Sequence, residues 1–436
     1  MANILISHFS TIVENGRFTP GCFFEGLAKS FQEGGHNVKH MISTSFIPKP
    51  WNGTNTMYKD VKRQRLIQDI RDFSPDLCIF ANNSVPEAVY EATDCPVIIL
   101  LSDTAAFLND KELIKNKSYG NRIHFYAPFK RDIHEIETFF GKDAGKILHL
   151  LPATSVEAET IPVDKNISFI GSNFQNDKRL ENLILDFPDR KRLLQILSII
   201  RHNTSLPDIL SEKEANFIES YLPTSHFIHM FSARDRILTL SLMTEEGLSL
   251  YGATNWHETS QHFPDIAASF DQKKVYSLKH NQDIYNSSKI CLSVSHSQAS
   301  DGFPWRIMDI MASNGCLLSD RKQGIADFSK DYVDIPMYES QLEARELARR
   351  LLKDEILRKE IIDGSQRCIA ENGLWKHRFN EIEQQTGVKL TLSAPRAGTI
   401  SYISGEDYSS IQKRTLKTKS YLRRGLAKVG RHLARL

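Results

Sequence analysis

The stretch ICLSVSHSQASDGFPWRIMDIMASNGCLLSD, residues 290–320, decides the fold of this chain. It opens on an apolar run of strand character, ICLSVSHS, and closes on another, CLLSD. Between them residues 303–313 carry apolar side chains at helical spacing, and Asn314-Gly315 reads as a left-handed stop. Strand, helix and strand in so short a span is the unit of a parallel sheet. The stretch also places His296, Asp301, Arg306 and Asp309 within 14 residues. Ligands of open α/β sheets bind beyond the carboxyl ends of the strands, and His296 to Gly302 form such a loop. Gly302 and Pro304 then start a helix whose free N–H groups suit an anion such as a diphosphate. Gly302 lets backbone approach a ligand closely. Asp301 and Asp309 would repel a bare anion, but a carboxylate is the natural acceptor for paired sugar hydroxyls. The plainer readings are a helix N-cap for Asp301, a surface pair for Arg306 and Asp309, and a loop position for His296.

Outward from this stretch the alternation continues in both directions. ILIS (4–7), NVKHMIS, DLCIFAN, CPVIILLSD and KILHLLPAT read as strands, separated by helical segments such as CFFEGLAKSFQEGG with its Gly34-Gly35 stop. A second series begins with NISFIGS, ending in Gly171-Ser172. It continues with helices over 179–187 and 189–222, LSLYGATN ending in Gly252, a short strand KKVYS, and one long helix over 340–372. The expectation is α/β, with two Rossmann-like domains and a boundary near 152–165. The divisions are 1–162, 163–385, and a linker and tail over 386–436.

Composition excludes several classes. Of 436 residues, 41% are hydrophobic and 25% charged, as in ordinary globular proteins. The longest apolar runs are far shorter than a membrane span of about 20 residues. The N-terminus has no basic region ahead of its apolar residues and reads as a first strand, not a signal peptide. The six cysteines form no C-x-x-C pair, which suits a reduced, cytosolic protein. The net charge of +2 hides an asymmetry: residues 408–436 hold nine Lys and Arg and no acid. Without them, 46 basic residues face 53 acidic ones, a net charge of −7. Nucleic-acid binding is not expected of such a body.

DGFPWRIMDIMASNGCLLSD resembles the donor-binding signature of GT-B glycosyltransferases of the group 1 type: an acid, Gly-Phe, a short helix, and a second acid eight residues after the first. NISFIGSNFQNDKRL, LSLYGATNW, DIYNSSKICLSVS and GLWKHRFNEI resemble the CgeB-type branch in their order. The likeness covers roughly residues 165–385, and 1–150 by architecture only. This chain departs in carrying Asp at both acidic positions, where Glu is usual. The resemblance implies that Asp309 binds the nucleotide ribose and that Asp301, Gly302 and Phe303 bind the donor sugar. It implies that Lys178 and Arg179, after the Gly171-Ser172 loop, neutralise the diphosphate with Arg306. Gly252 would border the donor, and His296 is a catalytic candidate. No D-x-D occurs, so a metal-independent reaction with no cofactor is expected. The acceptor would lie against the N-terminal domain. There Asp103, after VIILLSD, is a candidate base or acceptor ligand, with a capping aspartate as the plainer reading. Glu25 is expected early in the first helix, where an acid is favourable in any case.

The tail adds a location. Leu422, Leu426, Val429, Leu433 and Leu436 form one apolar stripe, with Arg423, Arg424, Lys428, Arg431 and Arg435 on the other faces. A basic amphipathic helix over 411–436 suits an anionic membrane surface, docking on protein being the alternative. The reading is a cytoplasmic glycosyltransferase, peripheral at the inner membrane. It would use a nucleotide-sugar and a lipid-linked or surface-polysaccharide acceptor, as in lipopolysaccharide biosynthesis. The alternatives are a GT-B transferase of a CMP-linked ulosonic acid, in which Asp235 or Glu157 would matter, and a non-catalytic nucleotide-sugar-binding scaffold.

Overall fold

The computed structural model describes residues 1–45, 63–102, 122–140, 147–173, 178–202, 211–221 and 225–403, apart from positions 16, 83, 85, 253, 300, 394 and 395. Asp103 and the tail beyond 403 lie outside the described residues.

Two parallel sheets organise the chain. The first unit contains β1 (Asn3–His8), a small hairpin β2 (Val13–Glu14) and β3 (Arg17–Phe18), β4 (Asn37–Ile42), β5 (Leu77–Ala81), β6 (Val97–Leu100), β7 (Ile123–Ala127) and β8 (Ile147–His149). The second contains β9 (Lys165–Gly171), β10 (Leu248–Gly252), β11 (Ser288–Ser293), β12 (Cys316–Asp320) and β13 (Met337–Tyr338). A last strand, β14 (Ile400–Tyr402), closes the described chain. The first sheet runs β14-β4-β1-β5-β6-β7-β8 and the second β10-β9-β11-β12-β13, with parallel pairing throughout.

Runs such as VIIL and LCIFA are buried at every position because helices cover both faces of each sheet. In the first unit the helix Cys22–Glu33 packs Leu27 and Phe31 on one face. The helices Arg63–Phe73 and Glu87–Ala92 pack Leu66, Ile70 and Val89 on the other. Between β9 and β10 a helical insertion keeps its own small core of Leu183, Phe187, Leu193, Ile196, Ile218 and Phe231. In both sheets the strand order reverses direction at the first strand of the unit, β1 or β9. Loops at the carboxyl ends beside those strands form one shared cleft. This is the two-domain GT-B arrangement.

Several elements differ from expectation. β7, β13 and β14 were not foreseen, and KKVYS (273–277) forms no strand. The long helix over 340–372 is two, Gln341–Lys353 and Glu355–Asn372. Asp354 breaks it because its carboxylate accepts the Leu357 N–H at 2.9 Å as an N-cap. The helix expected over 303–313 spans only Arg306–Ala312 and ends on an extended Ser313, not on a left-handed Asn314-Gly315. Gly315 serves packing: a Cβ there would lie 2.2 Å from the Cys291 sulfur.

The chain also crosses back. The helix Trp375–Thr386 packs against the first unit, with Phe379 stacked on Phe31 at 4.6 Å. Residues 386–403, expected as linker, deliver β14 to the edge of the first sheet beside β4. Trp375, Phe379, Ile382 and Leu390 complete an apolar core with Ile4, Leu27 and Phe31.

Candidate functional site

The floor of the cleft is glycine. β9 and β10 pair in register so that Gly171 faces Gly252 at their carboxyl ends. Gly252 has φ +121, and a Cβ there would sit 2.4 Å from the Gly171 carbonyl oxygen. At Gly171 a Cβ would meet the Phe169 ring at 2.8 Å and Arg306 Nη1 at 3.3 Å. Trp256, fully buried, donates its indole N–H to the Gly171 carbonyl at 2.8 Å. Bare backbone therefore lines a cavity of about 900 Å³ between the units. Gly171, Ser172, Gly252, His296, Phe303, Arg306 and Asp309 all line it, so seven of the positions singled out in the sequence meet in one place. The first unit supplies a mostly apolar wall that includes Ile12, Val13, Phe23, Pro128 and Phe129.

Asp309 sits where the units join. Thr154, on the segment linking them, donates its hydroxyl to Asp309 Oδ1 at 2.5 Å. Asp309 Oδ2 lies 3.9 Å from the Cys22 sulfur, at the start of the first helix. Burial pushes the Asp309 carboxyl up to about 6, and the Thr154 hydrogen bond and the Arg306 charge only partly oppose this. Burial and the neighbouring Asp309 charge in turn push the Cys22 thiol upward.

Arg306 donates Nη1–H to the Ile170 carbonyl at 3.0 Å, and its guanidinium lies 5.6 Å from the Phe169 ring centre. His296 accepts the Gln298 N–H on Nδ1 at 3.2 Å. The Phe303 side chain is fully buried and lies against Phe328, so any ligand contact falls to its backbone.

Asp301 and Gly302 do not line the cavity; they join the two units. Asp301 Oδ2 accepts the Arg131 N–H at 2.9 Å, in the first turn of the helix Lys130–Phe140. An acid there satisfies a free helical N–H and meets the positive end of the helix dipole. At Gly302 a Cβ would lie 2.7 Å from the Pro128 carbonyl oxygen. Glu25 does the reciprocal task from the first unit. Its Oε2 accepts the Leu278 N–H at 2.7 Å, at the start of the helix Leu278–Asn286.

Lys178 and Arg179 open the helix Lys178–Asp186, and their side chains lie outside the described residues. Glu157 pairs with Lys29 at 2.8 Å, and neither Glu157 nor Asp235 lines the cavity. Sequence reasoning missed Arg236, Trp256, Thr154 and Arg131. Arg236 is 1% exposed and donates to the carbonyls of Ser172 at 2.5 Å and Val294 at 2.8 Å. Its pKa is pushed down by burial and then by Arg306. Each of the four has its partner far away in sequence, and no local pattern signals it.

Residues 234–384 match the model of a family described as glycosyl transferase-like. No curated protein matches the chain. Among solved structures, HepE of Anabaena in complex with UDP and glucose is 10% identical, covering 89% of this chain and 100% of its own at a TM-score of 0.44. The T4 phage BGT in complex with UDP and Mn²⁺ is 12% identical, covering 88% and 100% at 0.47. The α,α-trehalose 6-phosphate synthase of Burkholderia multivorans is 9% identical, covering 88% and 96% at 0.44. The family match covers 234–384 alone, the greater part of the second unit, within a two-domain fold of GT-B architecture. Among the described residues no helix is long and apolar enough to cross a membrane.

Proposed function

We propose that the chain transfers a sugar from a nucleoside diphosphate sugar to a lipid-linked or surface-polysaccharide acceptor. One observation carries this reading. The carboxyl ends of both parallel sheets open onto a single cavity whose second-unit wall offers a glycine floor, Arg306 and Asp309. Asp309 is the acceptor for ribose hydroxyls. The diphosphate lies over Gly171 and Gly252, where side chains are absent and Arg306 is near. Lys178 and Arg179, on the helix that follows β9, are further candidates to neutralise the leaving diphosphate. Fixed cations of this kind stabilise charge that develops in the transition state, and the reaction needs no metal on this reading. Asp301 has one oxygen on Arg131 and a second, buried Oδ1 that has no hydrogen-bond partner among the described residues. With neither oxygen on the cavity wall, Asp301 serves the donor site by ordering the loop that carries Gly302 and Phe303.

The acceptor side rests on the basic, amphipathic pattern of 411–436, which suits a site of action at an anionic membrane surface. A thermal-shift panel of UDP-, GDP-, dTDP- and CMP-sugars tests the whole. A nucleoside diphosphate sugar is expected to raise the melting temperature and to be turned over in the presence of EDTA. Stabilisation by none of them would remove the nucleotide-sugar reading. Activity that vanishes with chelator and returns with Mg²⁺ would remove metal independence.

A further inference from the structure

Among the described residues Arg236 is the most buried cation beside the cleft, and neither the motif nor the reading above uses it. It projects from the helix Ser225–Ser241 to the carboxyl ends of two strands that are not adjacent in sequence. Its Nη1 donates to the carbonyl of Ser172, just after β9, and its Nη2 to that of Val294, just after β11. Arg306 donates to the carbonyl of Ile170 on the same strand end. The two guanidinium groups lean on one ring, Phe169, at 5.2 and 5.6 Å. Arg306, Phe169, the strand-end carbonyls and, by charge, Asp320 and Tyr338 are thus among the groups that bear on Arg236. The acid that bears on it, Asp320, already accepts the Ser295 N–H at 2.9 Å and faces Lys322 at 3.3 Å.

Carbonyl groups at a strand's carboxyl end present negative dipole ends to the crevice, which would repel a diphosphate. Here three of them, Ile170, Ser172 and Val294, are engaged by positive charge. Holding a second cation in a buried place next to Arg306 costs free energy. A purely structural tie between two loops could be made by a neutral donor. We infer that Arg236 is a positioning residue for the anion site. It holds the two strand-end loops with their carbonyls masked, and it supplies positive potential from behind the floor while Arg306 faces the ligand. It does not touch the substrate. This inference rests on the proposed nucleoside diphosphate sugar.

Inorganic pyrophosphate tests it without assuming a nucleobase. The full chain, Arg236→Met and Arg236→Lys are titrated calorimetrically with pyrophosphate over a range of salt concentrations. Arg236→Met should bind about 30-fold more weakly at low salt, as expected for lost interaction with a charged group. Its affinity should also depend less steeply on salt, because fewer fixed charges act on the anion. Arg236→Lys keeps the charge and gives up the forked geometry, so it should retain the parent's salt slope at a modestly reduced affinity. A Met variant that binds as the parent does overturns the inference. So does one that binds more weakly with the parent's salt slope, which would make Arg236 a structural tie only. If Arg236→Met does not fold, Arg236→Lys decides: a salt slope flatter than the parent's, with the charge still in place, overturns the inference. A parent chain that does not bind pyrophosphate would sink the diphosphate reading itself, and this inference with it.

Discussion

Asp309 is held in a state that the fold alone would not choose. Its carboxyl is pushed up to about 6 by burial, against about 3.9 in an unfolded chain. Below the unfolded value the group is neutral in both states and costs nothing. As pH rises from about 4 to about 6 the unfolded chain ionises before the folded one, and above about 6 the folded chain holds a desolvated charge at a full cost of about 2–3 kcal/mol. Asn at this position keeps an oxygen for the Thr154 hydroxyl and has no charge to desolvate. Asp309→Asn is expected to raise the melting temperature at pH 7–8, with the gain fading by pH 4, and to weaken nucleotide binding by about tenfold or more. Melting curves across pH together with nucleotide titrations check both halves; an equal gain at every pH would contradict the desolvation account. The place of Asp309 on the cavity wall was legible in the sequence because it depends on a local spacing, strand to loop to helix. Asp301 belongs to the same spacing, yet one of its oxygens serves Arg131, 170 residues away. Arg236 could not be singled out because SARDRILTL reads as an ordinary amphipathic turn. What buries it is the meeting of two loops from elsewhere in the chain.

Among the elements, the paired strand ends at Gly171 and Gly252 are the least tolerant part of the fold. Gly252→Ala faces both a left-side φ and a backbone clash at 2.4 Å. It should destabilise the chain by about 3 kcal/mol or more, or prevent folding. Gly387 is the control. It also has positive φ, at +74, but a Cβ there meets nothing within 4 Å, so Gly387→Ala should cost only about 1 kcal/mol. Denaturant melts of the two variants test whether contact or φ dominates. Most strands and helices were legible because their hydrophobic runs are long. The exceptions are instructive. β13 is two residues and β14 is three, too short for a period, and each exists only because a neighbouring strand offers its edge. The Asp354 break is a capping event inside a continuous apolar pattern, and the pattern hides it.

At the scale of the whole molecule, the two units are joined twice, through residues 150–164 and again at the entry to Trp375–Thr386. Ending the chain at residue 392 would remove β14 and leave β4 as an open edge. The Val38 N–H would lose the Thr399 carbonyl, and the His40 carbonyl would lose the Ile403 N–H. Such a chain should melt lower and aggregate, whereas one ending at 403 should melt like the full chain and keep nucleotide binding. Calorimetry of the two truncations decides this. The same 1–403 chain addresses the tail. The full chain should float with anionic vesicles and 1–403 should not, since each basic residue near such a surface contributes about 1 kcal/mol. Flotation of 1–403 would refute the membrane reading. The two-sheet plan was legible from β-α alternation. The return of the chain was not, because it depends on the Phe31–Phe379 stack and on the pairing of residues hundreds of positions apart.

That return has a consequence in time. A ribosome delivers β1 first and β14 last, so the first unit leaves the exit tunnel with one edge unfinished. It must wait while the entire second unit is synthesised, because Trp375, Phe379 and β14 are encoded beyond it. The nascent chain thus carries an exposed strand edge and an open apolar face for most of its birth. The domain begun first is completed last.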